Sequence, residues 1–251
     1  MRFVGVSGIV NIDDMMALRR LQSSLQEAGA VNMRIAAGIL QSQKSIEREE
    51  LNPRTPHPNT IDALIRSAPG VLRFVHYFTK EPASLITQLD RLMSLAHHAD
   101  GIQLNVAWPP TAATQWFRRE YPSKRLILQL NRKAVEMESG DQARIAARVR
   151  EYMPDITDLL VDMSGGTGLE IDMAWTSEML EGLAILRSLG LGVGLAGGIG
   201  SRASIEQLAN VWDEHNLTFI DTESKVRTRQ DTLDHARVRT YATDAAELLR
   251  F

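Results

Sequence analysis

The amino-acid sequence predicts a single (β/α)8 barrel, and three observations carry that prediction. Short apolar runs of strand length alternate with amphipathic stretches of helical length from one end of the chain to the other, the pattern of parallel βα units. Eight such runs can be counted, and an open doubly wound sheet usually stops at five or six strands, so closure is the economical arrangement. The length, 251 residues, suits one barrel of about 250 residues, and no linker divides residues 1–251 into smaller units.

In chain order, the strands are expected at Phe3 to Val6, Met33 to Leu40, Leu72 to Tyr77, Gly101 to Leu104, Leu126 to Leu130, Leu159 to Asp162, Gly192 to Ala196 and Phe219 to Asp221. The first helix follows Asn11, Asp13 and Asp14 and carries the run Met15 to Leu25; the second begins after Thr60 and covers Ile61 to Ile65. Others are expected at Pro82 to Ala96, Thr111 to Phe117, Asp141 to Tyr152, Thr176 to Leu189, Ser204 to Trp212 and Asp234 to Leu249. One irregular stretch, residues 41–59 between the second strand and its helix, contains three prolines and the charged run SIEREE. It is too long for a mere connector, and reads either as a lid over a substrate or as a short extra helix.

Composition narrows the function classes. Apolar residues make up 44% and charged residues 24%, enough to bury a core and solvate a surface. No cysteine is present, which removes disulfides, thiolate metal sites and a thiol nucleophile. A net charge of −3 offers no global field for a polynucleotide, so no nucleic-acid partner is expected, whereas a small anion needs only a local patch. No run approaches the ~20 apolar residues of a membrane span and MRFVGVSGIV is not a secretory leader, so no membrane partner and a cytoplasmic location are expected.

Barrel enzymes draw their sites from the C-terminal ends of the strands. Here those positions are Ser7, Gln41, His76, Gln103, Asn105, Gln129, Asn131, Asp162, Ser164, Gly197, Asp221 and Glu223. The set is rich in neutral hydrogen-bonding groups and lacks the clustered His, Asp and Glu of a metal site, so neither metal nor cofactor is expected. Two glycine turns, SGGTG at Ser164 to Gly168 and AGGIGS at Ala196 to Ser201, follow adjacent late strands. Without Cβ atoms they can turn several amides toward one anion, which makes a phosphorylated small molecule the expected ligand. Asp162, ending LLVD, reads either as a general acid or base or as a cap on the glycine turn. Asp221, ending FID, reads as a ligand-binding acid or as a solvated turn residue. Gln103, Asn105 and Asn131 either orient ligand hydroxyls or fill the polar top layer of the barrel.

Taken together, these motifs resemble the phosphoribosylanthranilate isomerase family of tryptophan biosynthesis, along nearly the whole chain. VGVSGIVNIDD at Val4 to Asp14 resembles the family's first strand and turn, and GIQLN at Gly101 to Asn105 its fourth. LLVDMSGGTGLEIDMAW at Leu159 to Trp175 and GVGLAGGIGSRASIEQL at Gly192 to Leu208 resemble its sixth- and seventh-strand elements, and these two are the more specific. The resemblance implies a TIM barrel of the ribulose-phosphate-binding type and an Amadori-type aldose–ketose isomerisation. It implies Asp162 as the general acid, with Gly166, Gly168, Gly197, Gly198 and Ser224 at the phosphate. Arg54, in NPRT, would hold the substrate carboxylate, with an ordinary solvated arginine as the alternative, and Gln103, Asn131 and Asp221 would complete the substrate site. A monomer or homodimer is expected.

Two positions depart from the family's pattern. Its general base is a cysteine at the end of the first strand, where this chain has Ser7. A hydroxyl with no partnering base titrates far above neutral pH, so another group, Glu223 or His76, would have to serve. In the eighth-strand element, DTESKVRT, Lys225 replaces a glycine that would present its amide to phosphate. Three readings follow: an isomerase of the family type, a lyase or epimerase on the same phosphate-binding frame, or a binding protein without catalysis.

Overall fold

In the computed structural model, which describes residues 2–47, 52–164, 172–249 and 251, eight parallel strands close into one barrel in sequential order. They are β1 (Arg2–Ser7), β2 (Met33–Ser42), β3 (Leu72–Phe78), β4 (Gly101–Leu104), β5 (Arg125–Asn131), β6 (Asp158–Asp162), β7 (Gly192–Ala196) and β8 (Phe219–Thr222). All eight fall where the apolar runs predict, with ends shifted by no more than two residues.

Period two along each strand sorts its side chains between two environments. Alternate residues of β1, Val4 and Val6, pack outward with Ile35, Ala37 and Ile39 of β2 against the surrounding helices. The other set, Phe3, Ala36, Leu72, Phe74, Ile127, Leu160 and Phe219, fills the barrel interior. Phe3 stacks on Phe219 with ring centroids 4.5 Å apart and lies 5.5 Å from Phe74. Below these rings the N-terminal end is closed by an ion pair between Arg125 and Asp158, the latter 1% exposed. Above them the same inward set turns polar: Ser7, His76, Gln103, Gln129, Asp162 and Asp221.

The principal helices lie where expected: α1 (Ile12–Glu27), α3 (Ile61–Ser67), α4 (Leu85–Leu95), α5 (Thr111–Glu120), α7 (Gln142–Tyr152), α10 (Arg202–Glu214) and α11 (His235–Leu248). Asn11 caps α1 by accepting the Asp14 N–H at 2.9 Å, whereas Thr60 makes no side-chain cap and donates to the His57 carbonyl at 2.7 Å. The Thr176 to Leu189 helix is broken in two, α8 (Met173–Gly182) and α9 (Ala184–Ser188). Two short helices are added, α2 (Gln43–Glu47) and α6 (Arg132–Met137). Within residues 41–59, of which 48–51 lie outside the described residues, a short helix is present as α2. Gln41 anchors it, accepting from Ser45 Oγ at 2.9 Å and donating to the Pro56 carbonyl at 2.9 Å.

Candidate active site

The strand ends surround a cavity of about 250 Å³ at the C-terminal mouth. Its walls include Gln41, His76, Gln103, Asn105, Gln129, Asp162, Asp221 and Glu223, most of the positions singled out from the strand ends. Register explains the grouping, because Asp162 pairs with Ala196 and Ala196 with Asp221. The two carboxylates therefore stand level on either side of β7.

Ser7 is 1% exposed, and its hydroxyl donates to the Asp221 carboxylate at 2.9–3.0 Å. On its other side lies His76 Nδ1 at 3.4 Å. Glycines make this approach feasible: a Cβ at Gly5 would overlap Asp221, and one at Gly38 would overlap Ser7 Oγ. Burial pushes the Asp221 carboxyl up to about 8, helped by the negative charges of Glu223 and Asp162 and opposed by the Ser7 hydroxyl. The same desolvation lowers His76 to about 4, which keeps its ring neutral at physiological pH. Ser7 therefore has a partnering carboxylate, and of the two readings of Asp221 the structure shows an inward residue of the mouth. The inward period of Phe219 and Asp221 was the signal in the sequence that marked it.

Asp162 is 7% exposed, and both of its oxygens are engaged. Oδ1 accepts from the Ser164 N–H at 3.0 Å and the Ser164 hydroxyl at 2.6 Å, so it does cap the turn after β6. Oδ2 accepts from Gln129 Nε2 at 2.8 Å, whose Oε1 accepts from Gln103 Nε2 at 3.1 Å. Asp162, Gln129 and Gln103 thus form one chain of hydrogen bonds across the mouth. Asn131 is the N-cap of α6, accepting the Ala134 N–H at 3.0 Å and donating to Asn105 Oδ1 at 2.9 Å.

Arg54 stands at the rim with its guanidinium engaged by the chain's own acids. Nε donates to both oxygens of Asp231 at 2.9–3.0 Å and Nη1 to Glu223 at 2.6 Å. These bonds, Asp231 foremost, raise the Arg54 pKa, and Arg54 in turn lowers that of Asp231. Glu223, one of the two groups considered as base in place of cysteine, is therefore ion-paired. The roles of Asp231 and Arg227 were not visible in the sequence, because the loop that holds them has no periodic signal.

The seventh-strand turn follows directly. Gly197 and Gly198 adopt φ of 101° and 67°, conformations that favour glycine. Together with Ser224 and Lys225 they line a small cavity of about 40 Å³ that also touches Asp162 and Asp221. A neighbouring cavity of about 210 Å³ lies beside the start of α10, between Gly200, Ser201 and Lys225. Lys225 packs its Cβ against Gly200 and is an exposed residue beside the turn. Gly166 and Gly168 lie outside the described residues.

No family model matches the sequence, and no curated protein matches it. Solved structures do. Phosphoribosyl anthranilate isomerase from Thermus thermophilus is 22% identical with a TM-score of 0.65, covering 99% of this chain and 100% of that one. The N-(5'-phosphoribosyl)anthranilate isomerase of Pyrococcus furiosus is 13% identical with a TM-score of 0.64, over 98% and 100%. A third phosphoribosyl anthranilate isomerase, in complex with reduced 1-(o-carboxyphenylamino)-1-deoxyribulose 5-phosphate, is 18% identical with a TM-score of 0.60, over 99% and 100%. The chain thus has the (β/α)8 fold of the phosphoribosylanthranilate isomerase structures along its whole length.

Proposed function

We propose that this barrel binds a phosphorylated sugar across its mouth and interconverts aldose and ketose forms by an Amadori-type proton transfer. The observation that carries the reading is the pair of carboxylates, Asp162 and Asp221, level on either side of β7 and facing one cavity that adjoins the Gly197–Gly198 turn. The phosphate sits against that turn, with Ser224 and the Lys225 ammonium supplying further donors where the glycine of the resembling family would offer an amide. Lys225 thus serves by charge.

Asp162 gives a proton to the sugar ring oxygen as the C1–O bond breaks, and the electron pair of the C1 substituent forms a double bond to C1. The Gln103–Gln129 relay tolerates both states of Asp162: with the two amides turned over, Gln129 accepts from a protonated carboxyl instead of donating to a carboxylate. Asp221 then removes the proton from C2, leaving an enol or enamine that becomes the ketose. A carboxyl held near pH 8 is a stronger base than an ordinary one, and Ser7 orients it by hydrogen bonding. In this reading the base stands beside position 7 without a thiol.

Turnover of phosphorylated aldoses and glycosylamines in deuterated water tests the reading, with the C2 proton followed by NMR. Loss of the C2–H signal with appearance of ketose is expected for a phosphorylated substrate and not for its dephosphorylated form. Exchange that yields a C2 epimer would move the assignment to an epimerase. No exchange, with binding retained, would leave a ligand-binding protein.

A further inference from the structure

The two ends of the mouth differ in charge. Beside the Gly197–Gly198 turn stands the exposed Lys225. From Glu223, which also borders that turn's cavity, toward the β2 loop and the β1 end, two guanidinium groups meet two carboxylates. Arg54 is held by Asp231 and Glu223; Arg227, 2% exposed, donates to the Asp231 carboxylate at 2.9 Å and to the Gly8 carbonyl at 3.2 Å. The four charges sum to zero, and they tie the β2 loop and the β1 end to the segment after β8. Among the described residues no lysine or arginine lines the cavity itself, where the acids are Asp162, Asp221 and Glu223, beside His76. The wall away from the glycine turn carries neutral hydrogen-bonding groups instead: Gln41, Asn52, Thr55, Gln103 and Asn105. A ligand carboxylate arriving there would meet acids and a guanidinium already engaged by acids, and like charges in a desolvated site repel.

We infer that the substituent carried at the C1 end of the sugar is an uncharged or cationic hydrogen-bonding group rather than a carboxylate, and that Asp231 and Glu223 set this preference by occupying Arg54. The inference rests on the phosphosugar reading above and narrows it to a substrate class. Glu223 and Asp231 act here by exclusion, as repulsive elements that separate two otherwise similar ligands.

Titration calorimetry with two stable ligands tests it: reduced 1-(o-carboxyphenylamino)-1-deoxyribulose 5-phosphate, and the same compound without its carboxylate. The native protein should bind the carboxylate-free compound at least about tenfold more tightly, the ratio that a single unfavourable charge contact readily produces. Glu223→Gln, and Glu223→Gln combined with Asp231→Asn, should each narrow that ratio by freeing Arg54, with folding checked by circular dichroism. Tighter or equal binding of the carboxylated compound by the native protein overturns the inference while leaving phosphosugar binding intact. A ratio unchanged in both variants overturns the assignment to Asp231 and Glu223. Failure to bind either ligand removes the phosphosugar reading and this inference with it.

Discussion

A carboxyl group that keeps its proton to about pH 8 ties stability to pH at a single residue. Because the folded-state pKa of Asp221 is raised above the ordinary carboxyl range, its contribution is fully present below about pH 4. It is lost as pH rises through about 8. Asp221→Asn should therefore raise the melting temperature at pH 8 while changing it little near pH 4, measured by calorimetry at both values; an equal effect at both would show that the carboxyl is not desolvated. His76 has the opposite sign, its lowered pKa costing stability as pH falls from about 6.5 toward 4. Ser7 acts on the same group: its donated hydrogen bond favours the charged carboxylate, so Ser7→Ala should move the pH midpoint of turnover upward. Ser7→Cys should raise the rate of C2 exchange, because a thiol is far more acidic than a hydroxyl and can share the proton transfer with Asp221. No gain would mean that C2 does not pass near position 7. Asp221 was legible as a site residue from its strand end, but its partner was not. Residues 7 and 221 meet only when β8 closes on β1, a contact no local pattern encodes.

Among the elements, the turn after β7 carries the most specific expectation. Gly197 has φ of 101°, and a Cβ there would lie 2.9 Å from Ser164 Cβ and 3.1 Å from Asp162 Oδ1. Gly197→Val should weaken binding of phosphorylated sugars in calorimetry and leave the far-ultraviolet dichroism of the barrel intact; unchanged affinity would remove this turn from the ligand site. Lys225→Ala should lower affinity for the phosphorylated ligand and flatten its dependence on salt, since Lys225 is an exposed cation lining the turn's cavity. The strands were readable because each is a compact apolar run that must be buried on both faces. The short helices were less so. Arg132–Met137 is only six residues long, and what starts it is the Asn131 cap rather than an amphipathic stripe. The same asparagine reads in sequence as a ligand-orienting group, since a cap and a site residue look alike at a strand end.

For the whole molecule, period two divides the barrel into an aromatic floor and a polar mouth, and the floor is sealed by the Arg125–Asp158 pair. Removing one partner of a buried pair leaves an uncompensated charge, so Asp158→Ala should cost about 3–5 kcal/mol in denaturant unfolding without altering ligand affinity at the far end. A loss below 1 kcal/mol would mean that the pair is not sealing the floor. Closure itself followed from counting eight strands, whereas the ion pairs joining Arg54, Glu223, Asp231 and Arg227 depend on loops that only the closed barrel brings together. The central claim is that Asp221 removes the C2 proton of a phosphorylated sugar held against the glycine turn. Its most direct test is the rate of solvent deuterium exchange at C2 between pH 6 and 9, in the native protein and in Asp221→Asn. The account predicts a rate that climbs with pH to a midpoint near 8 and falls by about 10²–10⁴-fold in the variant. A flat profile, or a variant that exchanges as fast as the native protein, would contradict it.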